Sequence, residues 1–197
     1  GILGDIGSGK SFVAKSFGYP VFNADNEVAK IYKKSRVCFL KLKKLLPKYI
    51  KTFPTDKTEL TNAILSNKNN IKKIIKIVHP LIRKKMNLFL LKNKKRKLVI
   101  LDIPLLLENK IKNKNMILVF VDAKKADISK RLLKRKGFNN KILKRLRKIQ
   151  LPLDYKKRKS HYIVKNFYTK KIARKNVKII LKRILKCFFT LKLCYYV

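Results

Sequence analysis

Lys10 and Ser11 close an octapeptide, Gly4-Asp5-Ile6-Gly7-Ser8-Gly9-Lys10-Ser11, that fits the pattern G-x-x-x-x-G-K-[ST]. Glycines at this spacing let successive backbone N–H groups turn inward and form an anion-binding nest. Apolar Ile2-Leu3 precede the loop, and Phe12 to Phe17 follow it as a short helix. This is the strand–loop–helix context in which the pattern binds a nucleoside triphosphate, with the positive end of the helix dipole facing the anion. Lys10 is then expected to reach the β- and γ-phosphates and the Ser11 hydroxyl to ligate Mg²⁺. The expected nucleotide-binding set is Gly4, Gly7, Ser8, Gly9, Lys10, Ser11 and Phe12.

Two acids and two arginines could complete a phosphoryl-transfer site. Asp25 follows a short strand, Val21-Phe22-Asn23, and ligands of doubly wound sheets sit beyond the carboxyl ends of strands. A carboxylate there can take a proton from a substrate hydroxyl; it can equally cap a helix starting near Asn26-Glu27. Leu98-Val99-Ile100-Leu101-Asp102 is an apolar strand ending in an acid, the Walker-B shape that holds Mg²⁺. Met116 to Val121 ends the same way in Asp122, but Glu108 adds a second acid near Asp102, so Asp102 is preferred. Arg131 and Arg135 lie four residues apart on an amphipathic helix from Asp127 to Lys136, stopped by Gly137. Arginines on such a segment can act as a lid that brings positive charge onto a transferring group and excludes water; a solvated basic face would look the same.

The elements that must position these groups follow from periodicity. Between Glu27 and about Lys95 the pattern is helical, with Val28, Ile31 and Tyr32, then Ile71, Ile74, Ile75 and Val78 at helix spacing. That block is too long for one crossover helix and reads as a helical insertion that holds substrate. Within it Pro80 suits a helix start, with His79 just before it as a cap. A helix from Lys141 to Gln150 ends at Leu151-Pro152. Tyr162-Ile163-Val164 is the last strand, and Thr169 to about Phe188 a closing helix. The expected fold is α/β, a P-loop nucleotide-kinase-like three-layer arrangement with a parallel central sheet. Its core comprises residues 1–26, 96–122 and 150–190, the insertion 27–95 and the lid 123–149.

Bulk properties narrow the class. A chain of 197 residues with 46% hydrophobic content suits one α/β domain with insertions. There is no run of eighteen apolar residues and no signal peptide, so a soluble cytoplasmic protein, monomeric or weakly self-associating, is expected. Only Gly1-Ile2-Leu3 precede the loop and no Met opens the chain, so a truncated N-terminus is also expected. Cys38, Cys187 and Cys194 lack metal or CxxC spacing and are expected to be reduced and structural. The final Cys194-Tyr195-Tyr196-Val197 has an aromatic middle pair and is not read as a prenylation box. Fifty-three Lys plus Arg against ten Asp plus Glu give +43. The basic residues spread along the whole chain with no recognition motif, so no specific nucleic-acid partner is expected.

The order of motifs resembles the dephospho-CoA kinase family. That family carries a G-G-I-G-S-G-K-S loop, a D-A-D, an H-P and a D-[IV]-P-L-L-[FL]-E. An R-L with a further R on the lid, a Q, and an N after the last strand complete the pattern. The counterparts are Gly4 to Ser11, Asn23-Ala24-Asp25, His79-Pro80, Asp102-Ile103-Pro104-Leu105-Leu106-Leu107-Glu108, Arg131-Leu132 with Arg135, Gln150, and Asn166. The Asp102 to Glu108 string is much more specific than the loop. The resemblance implies transfer of the ATP γ-phosphoryl group to the ribose 3′-hydroxyl of dephospho-CoA, the last step of coenzyme A biosynthesis. It implies ATP and Mg²⁺ as cofactors, Asp25 as general base with Lys10 and Arg131 at the transferring group, and Arg135 on the nucleotide. It also implies Asp25, His79, Arg83, Asp102 and Leu105 toward the acceptor, with Ser11 and Asp102 at the metal. The chain departs from the pattern at Asp5, where the family has glycine and where an acid would put negative charge beside the anion site unless it turns away. Asn23 and His161 stand where acids are usual, and Asn166 is not followed by Gly. A kinase of another small acceptor, such as a nucleoside monophosphate, or a nucleic-acid-associated P-loop NTPase are the alternatives.

Overall fold

A computed structural model describes residues 1–109, 111, 116–135, 137–167 and 169–193, with backbone alone from residue 187 onward. The Cys194 to Val197 tail, the Cys187 side chain and Lys136 lie outside the described residues. The elements run β1 (Ile2–Gly4), α1 (Lys10–Ser16), β2 (Val21–Asn23), α2 (Ala24–Lys34), α3 (Arg36–Leu45), α4 (Lys57–Ser66) and α5 (Asn70–Lys92). They continue as β3 (Ile100–Asp102), β4 (Val119–Asp122), α6 (Lys125–Leu133), α7 (Asn140–Lys148), α8 (Leu153–Arg158), β5 (Tyr162–Lys165) and α9 (Lys170–Leu193).

The five strands form one parallel sheet in the order β2-β3-β1-β4-β5. Ile2 pairs with Asp102 on one side and Val119 on the other, so β1 is central. Such an order places a topological switch point beside β1, where the crevice beyond the strand ends receives ligands. The strands read as continuous apolar runs because both faces are covered: Ile2, Leu3, Ile100, Leu101, Val119, Phe120 and Val121 are all buried.

The chain divides into two compact units: residues 1–21, 100–138 and 151–197, and residues 22–99 and 139–150. In the first unit, α1 packs on α9 and β3, α9 on β5, and α8 on β1. Val13, Ala14, Phe17, Ile128, Leu132, Val164, Ala173 and Val177 complete that core. In the second, α2, α3 and α4 each pack on α5, and α7 packs on α4. Arg145 Nη2 donates to the Leu65 carbonyl at 2.9 Å and ties α7 to the end of α4. Cys38 is fully buried here and its thiol is pushed up to about 11 by burial, against the pull of Lys41. It is an inert core residue, as expected of a structural cysteine.

Three expectations from periodicity need correction. Pro80 does not start a helix: α5 runs through it from Asn70 to Lys92. Ile71, Ile74, Val78, Ile82 and Met86 line one buried face of α5, and each buried apolar side chain contributes about 1.5–3 kcal/mol. Together they outweigh the roughly 3 kcal/mol that an interior proline costs. His79 is therefore an interior helical residue, not a cap. Second, α6 ends at Leu133, so Arg131 and Arg135 do not share a helix face; the Arg135 N–H bonds the Leu132 carbonyl in the turn beyond. Third, the helix expected to run to Gln150 stops at Lys148, and Pro152 instead opens the additional helix α8.

Candidate active site

The glycine-rich loop joins the carboxyl end of β1 to α1. Ser8 N–H bonds the Asp5 carbonyl at 3.1 Å, and the Phe12 and Val13 amides bond the Gly9 carbonyl at 3.1 Å. Lys10 Nζ lies over the loop entrance, donating to the Asp5 carbonyl at 2.7 Å and the Gly4 carbonyl at 3.2 Å. Gly9 has φ 93°, and a Cβ there would meet Asn166 Nδ2 at 2.3 Å and Arg131 Nη1 at 3.1 Å. No other residue fits that position without moving both neighbours. A Cβ at Gly7 would press on Leu132 and Ile128 at 3.0–3.2 Å, so α6 lies directly against the loop.

The Asp5 carboxylate turns back on its own backbone: Oδ1 accepts from Ile6 N–H at 2.7 Å, and the residue is buried. Ser11 and Arg131 are exposed, Phe12 and Leu105 half-buried, and Asp102 buried at the end of β3, one strand from the loop. Arg135 is exposed in the turn after α6. Glu108 does not lend its acid to Asp102. Its Oε1 pairs with Lys156 Nζ at 2.7 Å and accepts from Leu151 N–H at 2.8 Å. Asp122, the rival of Asp102, is ion-paired to Lys157 at 2.9 Å and holds that ammonium above the ordinary lysine range.

In the second unit, Asp25 is an exposed residue in the first turn of α2. It is not the cap. Asn23 performs that role, its side chain accepting from Asn26 N–H at 2.8 Å. An amide oxygen caps as well as a carboxylate, which accounts physically for an acid being dispensable at that position. His161 similarly serves as an acceptor, taking the Leu118 N–H on Nδ1 at 2.9 Å where a carboxylate could do the same.

His79 and Arg83 lie one turn apart on α5. Partial burial and, secondarily, the Arg83 charge hold the imidazole below its ordinary value of 6.5. At neutral pH His79 is thus an uncharged hydrogen-bonding ring, and Arg83 carries the charge. The unfolded chain binds this proton more tightly than the folded one, so the neutral-ring contribution to stability is lost as pH falls through 6.5 toward the lowered value. His79→Gln is expected to flatten the dependence of melting temperature on pH in the interval below 6.5. An unchanged slope in calorimetry would show that His79 does not titrate in that window.

The loop and Asp102, expected in the core, and Arg131, expected on a lid, all lie in one compact unit; Asn166, matched only to the family's asparagine after the last strand, carried no expected contact with the loop. Asn166 is buried, and its Nδ2 donates to the Ser8 carbonyl at 2.8 Å. Its match to the family's asparagine after the last strand is the sequence signal that points to it.

A parallel sheet with a G-x-x-x-x-G-K-S loop after its central strand, and an acid ending the neighbouring strand, defines a P-loop kinase fold. The sequence profile of the dephospho-CoA kinase family matches residues 1–171. The chain belongs to that family and is an ATP-dependent kinase. It is 32% identical over 182 residues to the dephospho-CoA kinase of Wolbachia pipientis wMel, covering 90% of this chain and 93% of that one. It is 29% identical over 191 residues to the Bartonella henselae dephospho-CoA kinase, covering 94% and 97% of the two chains. Among solved structures, a crystallised Thermus thermophilus protein superposes with a TM-score of 0.69 at 24% identity, over 92% of this chain and 95% of that one. The dephospho-CoA kinase of Campylobacter jejuni gives 0.59 at 22% identity, over 93% and 96%. Both likenesses bear on the fold alone.

Proposed function

We propose that this chain moves the γ-phosphoryl group of ATP onto the ribose 3′-hydroxyl of dephospho-CoA, with the division of labour set out here. The observation that carries the reading is the family match across residues 1–171, which includes both the phosphate loop and the Asp102 to Glu108 string. Asp25 takes the proton of the acceptor hydroxyl; its oxygen forms the new bond to the γ-phosphorus while the bond to the β-bridging oxygen breaks and ADP leaves. Loop amides from Gly7 to Ser11 hold the phosphates, with Gly4 and Phe12 flanking them. Lys10 exchanges its two carbonyl partners for phosphate oxygens, and Arg131, beside Gly9, meets the charge spread over the transferring group. Arg135 contributes to the nucleotide side. Asp25, His79, Arg83, Asp102 and Leu105 serve the acceptor, His79 as a neutral donor or acceptor and Arg83 as a cation.

Ser11 and Asp102 are the protein ligands for Mg²⁺. Both offer hard oxygen donors, and the described residues hold no cluster of three His, Cys, Asp or Glu that would build an all-protein cage. That fits Mg²⁺, which takes one or two protein oxygens and fills its shell with phosphate and water. When bound, the ion neutralises charge on the β- and γ-phosphates. Among the described residues no helix is long and apolar enough to cross a membrane.

Incubation with ATP, Mg²⁺ and dephospho-CoA, with mass detection of CoA, is expected to give product far faster than phosphorylation of any nucleoside monophosphate. Faster turnover of a monophosphate would move the assignment to a nucleotide kinase. ATP hydrolysis that rises on adding RNA would favour a nucleic-acid-associated enzyme, whereas the +43 charge alone gives salt-sensitive sticking without turnover.

A further inference from the structure

We propose that Asn166 is a positioning residue of the phosphate cradle, fixing the direction in which the Gly9 amide points. The inference rests on the reading of Gly4 to Ser11 as a phosphate loop. Asn166 follows β5, is 2% exposed, and is anchored by its own backbone N–H to the Asp122 carbonyl at 2.7 Å. From that fixed point its Nδ2 donates to the Ser8 carbonyl at 2.8 Å, across 158 residues of sequence.

A trans peptide is planar, so the Ser8 carbonyl and the Gly9 N–H point in opposite directions. Holding the carbonyl outward toward Asn166 therefore turns the Gly9 N–H into the concave side of the loop, where a nest binds anions. The lock is needed because Gly9 cannot supply it. With no Cβ, glycine accepts positive and negative φ almost equally, and a flip of the Ser8–Gly9 peptide would aim a carbonyl oxygen at the phosphates. Gly9 has φ 93°, and a Cβ there would lie 2.3 Å from Asn166 Nδ2, so lock and glycine are in direct contact. A side chain at 9 that could stiffen the backbone is excluded by the same asparagine that replaces its effect.

Asn166→Ala removes the donor. The test compares binding of inorganic pyrophosphate and of ADP by calorimetry, at about 0.3 M salt to suppress attraction to the basic surface. Affinity for both is expected to fall by about ten-fold, the worth of one well-made hydrogen bond to a phosphate-binding loop. The Gly9 amide resonance, which moves on adding pyrophosphate to the wild type, is expected to move less in the variant. Loss for ADP with pyrophosphate binding intact would assign Asn166 to the nucleoside and overturn the proposal, as would unchanged binding of both. A wild-type chain that binds no pyrophosphate would remove the phosphate-loop reading itself, and the proposal with it. Should Asn166→Ala fail to fold, Asn166→Ser, whose hydroxyl is too short to reach Ser8, is read the same way.

Discussion

Asp25→Asn is expected to lower kcat by about 10²–10⁴ while leaving ATP affinity nearly intact. The substitution keeps the shape of the side chain and removes its charge and its ability to accept a proton. Asp25 is exposed, and α2 is already capped by Asn23. Surface changes usually shift stability by about 0.5 kcal/mol or less, and a melting curve of the variant separates a folding loss from a chemical one. Single-turnover measurement of CoA formation, with ATP binding followed separately, divides the two effects. A variant that turns over at the wild-type rate would remove Asp25 from the role of base. If ATP affinity fell together with the rate, Asp25 would belong to nucleotide binding.

Lys156→Ala is expected to destabilise the chain by about 3–5 kcal/mol, because it strands a buried carboxylate. Lys156 is 1% exposed, and its Nζ sits 2.7 Å from Glu108 Oε1. The Glu108 Oε2 is buried with no hydrogen-bond partner among the described residues, so the pair already has little to spare. For a chain of this size the loss corresponds to a fall of roughly 10 °C or more in melting temperature. The double variant Lys156→Met with Glu108→Leu is expected to recover much of the loss, since replacing both members of a buried pair by apolar groups is often neutral. Calorimetry on the four members of the cycle decides it. A change below about 2 °C for Lys156→Ala would mean that water reaches the pair. The pair ties the segment that follows Asp102 to α8, and Glu108 also accepts the Leu151 N–H just before that helix.

The sequence makes some of this legible and hides the rest for reasons of range. The loop is local: eight consecutive residues determine it, and strand, nest and helix follow from their types. Short apolar runs marked β3, β4 and β5, although ladder pairing begins later in the first two than the runs suggest, at Ile100 and Val119. Pro80 misled because a local rule met five buried residues on one helix face, and burial won. The Asn166 contact with Ser8 and the Lys156 pairing with Glu108 were illegible because the partners are distant in sequence. Lys156 was hidden further by its setting, since nothing in a chain with fifty-three basic residues distinguishes the one that is buried beside Glu108.

The division of the chain into units also fixes an order of completion during synthesis. The second unit owns residues 22–99 and 139–150, so its last helix is available once residue 150 has emerged. The first unit begins earlier, with β1, but waits for β4, β5 and α9, whose buried Ile184 closes its core. The nucleotide loop is therefore made before the whole second unit and acquires its full setting after it. Its Asn166 contact spans 158 residues, a separation whose closure is entropically slow. A ribosome-bound fragment ending near residue 150 would hold every part of the second unit and a glycine-rich loop without its Asn166 contact.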